Sequence, residues 1–430
     1  MGILKIEKEQ EVRESVIFHV DVNSAFLSWE AAYRKEILGE EIDLRDIPSA
    51  VGGDMEKRKG IILAKSTPAK AFDIQTGEPI VAALKKCPEL TIVKPNFGLY
   101  VQCSKAFINI LKEYSPQVEQ YSIDEAFMDM TGTEGLYGDP VHVAHLIKDR
   151  IYKELGFTVN IGVSNNKLLA KMAGDFKKPN LVHTLFPHEI ETKMWPLPVR
   201  DLFFVGRSTE KTLKLLGIKT IGELARADIK LLRLHLKKQG EVIHRYANGI
   251  DFNKVEQAIT PNKGYGNSMT IPYDVNSTQN AHLVLLSLSE TVATRLRADG
   301  VEASCISVSL VDCDFMSSSM QMTLSQTTNH TKEIYEYACQ IFEKLWDHQT
   351  PIRQLGVHTT KLADTSTHQM SFFESPKDNR YGKLDEAIDA IRNKYGENAI
   401  KRAAFVGSKL DHMAGGISKE KKTGITKAQI

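Results

Sequence analysis

Apolar residues recur along this chain in two rhythms, and the switches between them divide it into elements. The run Val16-Ile17-Phe18-His19-Val20-Asp21-Val22-Asn23 is apolar and β-branched and predicts a buried strand, whereas residues 28–38 have the spacing of an amphipathic helix that stops at Gly39. Residues 47–51 and 60–64 predict a strand pair around the polar turn 52–59. Pro79 opens a helix through Lys86, 91–93 is a short strand, and 97–114 is a long helix. The apolar stretch 121–129 reads as a second buried strand; a helix after Asp139-Pro140, a strand over 158–163 and a helix over 166–176 follow. Strands and helices mix without strict βαβ alternation, which predicts an α+β core.

Pro196 and Pro198 mark a boundary, after which residues 204–224 read as helix, glycine turn, helix. A third pattern spans 268–362, with helices over 281–297 and 332–346 and strands over 305–311, 320–324 and 354–359. Beyond it, 383–395 is helical, and the end after Gly407, rich in Gly and Lys, has the composition of partly disordered chain.

Chemistry enters where the apolar pattern carries charge. Asp124 and Glu125 lie inside the apolar stretch Tyr121-Ser122-Ile123-Asp124-Glu125-Ala126-Phe127-Met128-Asp129, and Asp21 ends the first strand. Ionised carboxylates are rarely buried without partners, so their placement calls for cations. If the two strands are neighbours, Asp21, Asp124 and Glu125 converge on an oxygen-lined site for one or two Mg²⁺, and the chemistry implied is phosphoryl or nucleotidyl transfer. The alternative is a turn or solvated edge, the reading given to Asp129; apolar residues on both sides of the pair count against it for Asp124 and Glu125.

Composition narrows the classes. At 430 residues, 42% hydrophobic and 25% charged, the chain fits a globular protein of several domains. No apolar run approaches the roughly 18 residues of a membrane span, and the N-terminus lacks the apolar core of a secretory signal, so a cytoplasmic protein with no membrane role is expected. The five cysteines are scattered, without a Cys-x-x-Cys pair, which argues against zinc and against disulfides. Net charge is only +1, but it is unevenly spread: residues 207–245 carry Lys211, Lys214, Lys219, Arg226, Lys230, Arg233, Lys237 and Lys238 against few acids. The hairpin there, with Gly206, Arg207, Lys211, Lys214, Gly217 and Lys219, presents backbone amides at a helix N-terminus where a phosphate can sit without base readout; an ordinary helical hairpin is the alternative.

Taken together, these segments resemble the Y-family (translesion) DNA polymerases, with a bacterial polymerase IV or UmuC-like look. The likeness runs from residue 16 to the low 370s. It is carried by Asp21-Val22-Asn23-Ser24-Ala25-Phe26, by Ser122-Ile123-Asp124-Glu125-Ala126, by Gly162-Val163-Ser164-Asn165-Asn166-Lys167-Leu168-Leu169-Ala170-Lys171 and by the basic hairpin, in the family's order. The resemblance implies a multidomain right-hand polymerase: a palm over 1–200 with fingers inserted at about 32–95, a small helix-hairpin-helix thumb over 201–262, an α+β little finger over 268–365, and a linker and basic tail over 366–430. It implies that Asp21, Asp124, Glu125 and the Val22 carbonyl hold two Mg²⁺, and that Phe26 is a steric gate against ribose, with a core aromatic as its alternative. It also implies that Lys167, with Thr67 and Lys70 of the fingers, contacts the nucleotide. Lys70 stands where many members carry Arg and Thr67 where many carry Tyr, which replaces a bidentate fork and a phenol with a point charge and a small hydroxyl.

Gln369-Met370-Ser371-Phe372-Phe373 is similar to the peptide that binds the bacterial replication sliding clamp, through Gln369, Phe372 and Phe373; docking of those rings on the chain's own third module is the alternative. Primer–template DNA, deoxynucleoside triphosphates and the clamp are the expected partners of a monomeric, error-prone polymerase that serves damage tolerance and has no segment left for a proofreading exonuclease. A catalytically silent DNA- or clamp-binding scaffold and a nucleotidyl cyclase with a related palm are the competing readings.

Overall fold

The computed structural model describes residues 15–53, 60–257, 261–365, 379–408 and 410–413. Its centre is a five-stranded sheet in the spatial order Val118–Gln120, Glu125–Asp129, Ile17–Val22, Val159–Ser164, Val182–Thr184. Ile17–Val22 runs antiparallel to both neighbours, so the two acid-bearing strands predicted from the apolar pattern lie side by side. Every residue of Ile17–Val22 is buried, because helices Phe97–Tyr114 and Pro140–Leu155 cover one face and Lys167–Gly174 approaches the other. Gly162 permits that last approach: a Cβ there would collide with the Ala170 carbonyl. Asp139 caps Pro140–Leu155, its carboxylate accepting from the His142 amide at 2.9 Å, and Pro140 sits at the first turn, where its missing N–H costs nothing.

Between the first and second strands of this sheet the chain builds a separate three-stranded sheet, ordered Ile62–Lys65, Ser49–Gly52, Thr91–Val93, with its own core around Ile62, Ile74 and Ile80. The predicted turn joining its hairpin lies in part outside the described residues.

Pro196 and Pro198 do not break the packing. One hydrophobic cluster runs from Leu168 and Met172 of the sheet-covering helix, through Leu213, Ile221 and Leu232, to Ala247, so the helical module is built onto the first module. Its helices are Arg207–Leu215, Ile221–Ala225, Ile229–Leu236 and Lys238–Ala247, the last two in a stretch that the sequence marked only as basic.

The C-terminal module is a four-stranded antiparallel sheet, ordered Ser317–Thr328, Val301–Asp312, Ile352–Asp364, Gly264–Val275, covered by helices Thr278–Ala298 and Thr331–Leu345. The segment expected to be linker and tail also contributes. Helix Asn379–Tyr395 packs on this module, and Leu410 joins its core. Glu290, 2% exposed, accepts from Arg392 Nη1 at 2.7 Å and from Arg402 Nε. Burial alone would raise the Glu290 carboxyl, but the two guanidiniums hold it below the ordinary glutamate range. Arg297 bonds Asp389 at 2.6 Å and Asp385 at 3.2 Å, and Asp385 also accepts from the Thr331 amide at 2.9 Å. Removing one partner from such a buried network leaves an uncompensated charge, so Arg392→Met is expected to lower the stability of this module by about 3 kcal/mol, read from its denaturant midpoint. An unchanged midpoint would detach the segment from the module.

Candidate active site

Strand register brings the acids together. Asp21 is the direct cross-strand partner of Glu125, and the Val22 amide donates to the Asp124 carbonyl at 3.0 Å. Thus three acidic residues from two distant stretches stand at one end of the central sheet. Asp21 is buried, whereas Asp124 and Glu125 are half-buried. The turn before the second strand is held by Ser122, whose Oγ donates to Asp124 Oδ1 at 2.6 Å and accepts from the Glu125 amide at 3.0 Å.

Basic side chains of the chain face these acids. Lys178 bonds Asp21 and stands 2.9 Å from Asp175, while Lys171 Nζ lies 2.7 Å and His19 Nε2 3.3 Å from Glu125 Oε2. Burial raises the Asp21 carboxyl, and Lys178 only partly offsets that. At Glu125 burial also pushes upward, but the His19 hydrogen bond and the Lys171 ammonium prevail and hold it at about 2. Burial would depress Lys178, yet Asp21 and Asp175 lift it above the ordinary lysine range.

The loop carrying Lys178 is placed by asparagines. Asn23 Oδ1 accepts from Thr158 Oγ1 at 3.0 Å and from the Asn180 amide at 2.9 Å, while Asn160 Nδ2 donates to the Lys177 carbonyl at 2.6 Å. His19 is fully buried, and its closeness to helix Lys167–Gly174 requires a small residue opposite: a Cβ at Gly174 would stand 3.1 Å from Nδ1. Neither Lys178 nor His19 was singled out from the sequence. The signal for His19 was a titratable ring two residues before Asp21 on a buried strand; for Lys178 there was none, since Lys-Pro-Asn reads as a turn.

A hard cation fits this donor set. The side chains of Asp21, Asp124 and Glu125 offer oxygen donors alone, the kind a hard divalent cation takes, and strand pairing sets Asp21 opposite Glu125. Among the described residues no three His, Cys, Asp or Glu side chains already stand close enough to enclose a metal ion; lysine ammoniums lie against Asp21 and Glu125 instead. Val22, 2% exposed, sits between Asp21 and the turn at Asn23 and Ser24.

The other expected site residues separate into those near this cluster and those away from it. Phe26, on helix Ala25–Glu36 just past the turn, is half-buried and stacks on Tyr100 with centroids 4.7 Å apart and planes 11° apart. Thr67 and Lys70 are exposed on the short helix Thr67–Lys70 of the small sheet module. Lys167 is engaged by another acid: its Nζ pairs with Glu119 Oε2 at 2.7 Å and lies 4.8 Å from the Phe127 ring centre. In the hairpin, Gly206, Arg207, Lys211, Lys214, Gly217 and Lys219 are all exposed, and Lys214 is tied to Glu210 at 2.7 Å. No side chain caps helix Arg207–Leu215, which leaves its first amides open to an anion, whereas Thr220 and Glu223 close the start of the second helix. Gly217 turns the chain at φ +82°. Gln369, Phe372 and Phe373 lie outside the described residues. Between the first module and the helical module a cavity of about 230 Å³, lined by Lys171, Tyr121, Phe203, Phe204 and Tyr246 among others, opens beside Glu125.

The chain matches the impB/mucB/samB family over residues 20–175, that family's C-terminal domain over 262–372 and the IMS family HHH motif over 187–218. It is 45% identical to DNA polymerase IV of Clostridium acetobutylicum over 91% of this chain and 98% of that protein. It is 37% identical to DNA polymerase IV 2 of Bacillus subtilis over 91% and 95% of the two chains. A solved Y-family DNA polymerase chimera, Dbh-Dpo4(243-245)-Dbh, shares the fold with a TM-score of 0.69 at 22% identity, covering 81% of this chain and 99% of its own. On the strength of these matches, and of a sheet that sets Asp21 against Glu125, the chain belongs to the impB/mucB/samB family, the Y-family DNA polymerases.

Proposed function

We propose that Asp21, Asp124 and Glu125 are the metal-holding acids of an error-prone translesion DNA polymerase, which adds deoxynucleotides to a primer 3′-end. The observation that carries this reading is the cross-strand pairing of Asp21 with Glu125 beside Asp124. Y-family polymerases are metal-dependent; for this chain the cofactor is two Mg²⁺, with the Val22 carbonyl as a further ligand. Bound there, the metal lowers the pKa of the primer hydroxyl and offsets charge on the triphosphate and the leaving pyrophosphate. The carboxylates keep that charge in place, and Ser122 orients Asp124. His19 and Lys171 keep Glu125 ionised. We assign the phosphate-facing role implied for Lys167 to Lys178, the flexible cation lying on Asp21. Phe26 closes the sugar side, and Thr67 and Lys70 face the nucleotide from the fingers.

The domain limits are those of the sequence reading, with the C-terminal helix added to the little finger. DNA lies across the palm, its phosphates met by the open helix start at Gly206 and Arg207 and by Lys211, Lys214, Gly217 and Lys219. Replacing Lys211 or Lys219 is expected to flatten the slope of log K against log salt by about 0.9 per lost contact. An unaltered slope takes the hairpin off the DNA. The chain works as a cytoplasmic monomer that reaches the sliding clamp through Gln369, Phe372 and Phe373; among the described residues no helix is long and apolar enough to cross a membrane.

Primer extension on undamaged and abasic templates, with and without a chelator, tests the assignment. Template-directed, chelator-sensitive extension is expected. DNA binding without extension would leave a scaffold, and cyclisation of the nucleotide would leave a cyclase.

A further inference from the structure

Lys167 and Glu119 hold a segment that the catalytic reading does not use. Glu119 comes from the edge strand Val118–Gln120 and Lys167 begins helix Lys167–Gly174. Their side chains are only 13% and 12% exposed and meet at 2.7 Å. Both charges are further spent on backbone of the segment that leads from the helical module to the C-terminal sheet. Glu119 Oε2 accepts from the Glu256 amide at 2.8 Å, and Lys167 Nζ donates to the Lys254 carbonyl at 3.3 Å. Val255, between those two residues, is buried with Ile17, Phe127 and Ala170 of the catalytic sheet and its covering helix. Upstream, Asp251 Oδ2 accepts from the Leu168 amide at 3.2 Å and Asn166 Nδ2 donates to the Gly249 carbonyl at 3.0 Å.

We propose that Lys167 and Glu119 are a positioning pair that locks residues 249–256 onto the palm and thereby sets where the C-terminal module stands relative to the catalytic acids. Packing of Val255 alone would hold the segment without burying two charges. A pair so little exposed adds little net stability but demands one geometry, so its contribution is register. The same helix reaches the site one turn later, where Lys171 meets Glu125, so a shift of the segment is felt at the metal-holding acid. That consequence for DNA rests on the polymerase reading; the lock itself does not.

Hydrogen exchange of residues 249–257 in the full-length protein, read beside steady-state kinetics, tests the pair. Glu119→Gln and Lys167→Met should each speed exchange of that stretch by about tenfold, the loss of one charge-assisted hydrogen bond. Each should raise KM for primer–template about tenfold through misplacement of the C-terminal module, with kcat of Glu119→Gln on saturating DNA within about twofold of wild type. Exchanging the charges, Glu119→Lys with Lys167→Glu, should restore neither, because an ammonium cannot accept from the Glu256 amide and a carboxylate cannot donate to the Lys254 carbonyl; recovery of both would overturn the lock. Unchanged exchange in the single variants overturns the lock, whatever the polymerase activity. So does a Lys167→Met variant whose only defect is a raised nucleotide KM, which would return Lys167 to the phosphate site.

Discussion

Asp124→Asn is expected to abolish primer extension while leaving primer–template affinity within about twofold of wild type. The substitution keeps the shape of the side chain and its ability to accept from Ser122 Oγ, which lies 2.6 Å from Oδ1. What it removes is charge at the sheet end where Asp21 pairs with Glu125. Lewis-acid stabilisation of the transferred phosphate is worth several kcal/mol, so loss of a metal-holding carboxylate should lower the single-turnover rate by about 10³-fold or more. Rapid-quench insertion kinetics combined with fluorescence anisotropy separate the two effects. Activity near wild type would remove Asp124 from the metal site.

Phe26→Ala is expected to admit ribonucleotides. The ring stands just past the turn that follows Asp21, wedged by Tyr100 at 4.7 Å and by the edge of Phe97 at 6.1 Å, so it cannot easily swing aside for a 2′-hydroxyl. A shape-based barrier against one hydroxyl is worth about 10²-fold, and that factor should vanish from the ratio of kcat/KM for deoxy- and ribonucleotides. The competing role is packing, since the ring belongs to an aromatic cluster with Trp29, Phe97 and Tyr100. Lowered stability with unchanged sugar discrimination would leave Phe26 as packing alone.

Asp124 stood out in the sequence because it lies beside a strongly patterned element, whereas Phe26 was indicated by the family resemblance alone. Strand Ile17–Val22 is unbrokenly apolar except at His19 and Asp21, and helix Phe97–Tyr114 is long enough for its amphipathic period to stand out. Edge strands Val118–Gln120 and Val182–Thr184 escaped because each is three residues long with a single apolar position. Gly264–Val275 escaped because Pro272 and two glycines interrupt its pattern. Asp124 itself lies in the turn before its strand rather than within it, as Ser122 supplies the bonds that bend the chain there. The partners of the acids were less visible. Lys178 reaches Asp21 across 157 residues, and only the Asn23 and Asn160 hydrogen bonds that fix its loop bring it there. Only the family resemblance sets Lys167 with the nucleotide; its engagement by Glu119 depends on how the edge strand folds over the helix. The segment after residue 379 looked like tail because its charges are abundant, yet those charges are what dock it, through Arg392 and Arg402 onto Glu290.

Crystals of the protein with primer–template DNA, an incoming deoxynucleotide and Mn²⁺ in place of Mg²⁺ would bear most directly on the claim that Asp21, Asp124 and Glu125 hold catalytic metal. Anomalous peaks in contact with those three carboxylates are expected, with Lys178 moved from Asp21 to the triphosphate. Manganese bound elsewhere, with Asp21 still on Lys178 and Glu125 still on Lys171, would contradict it.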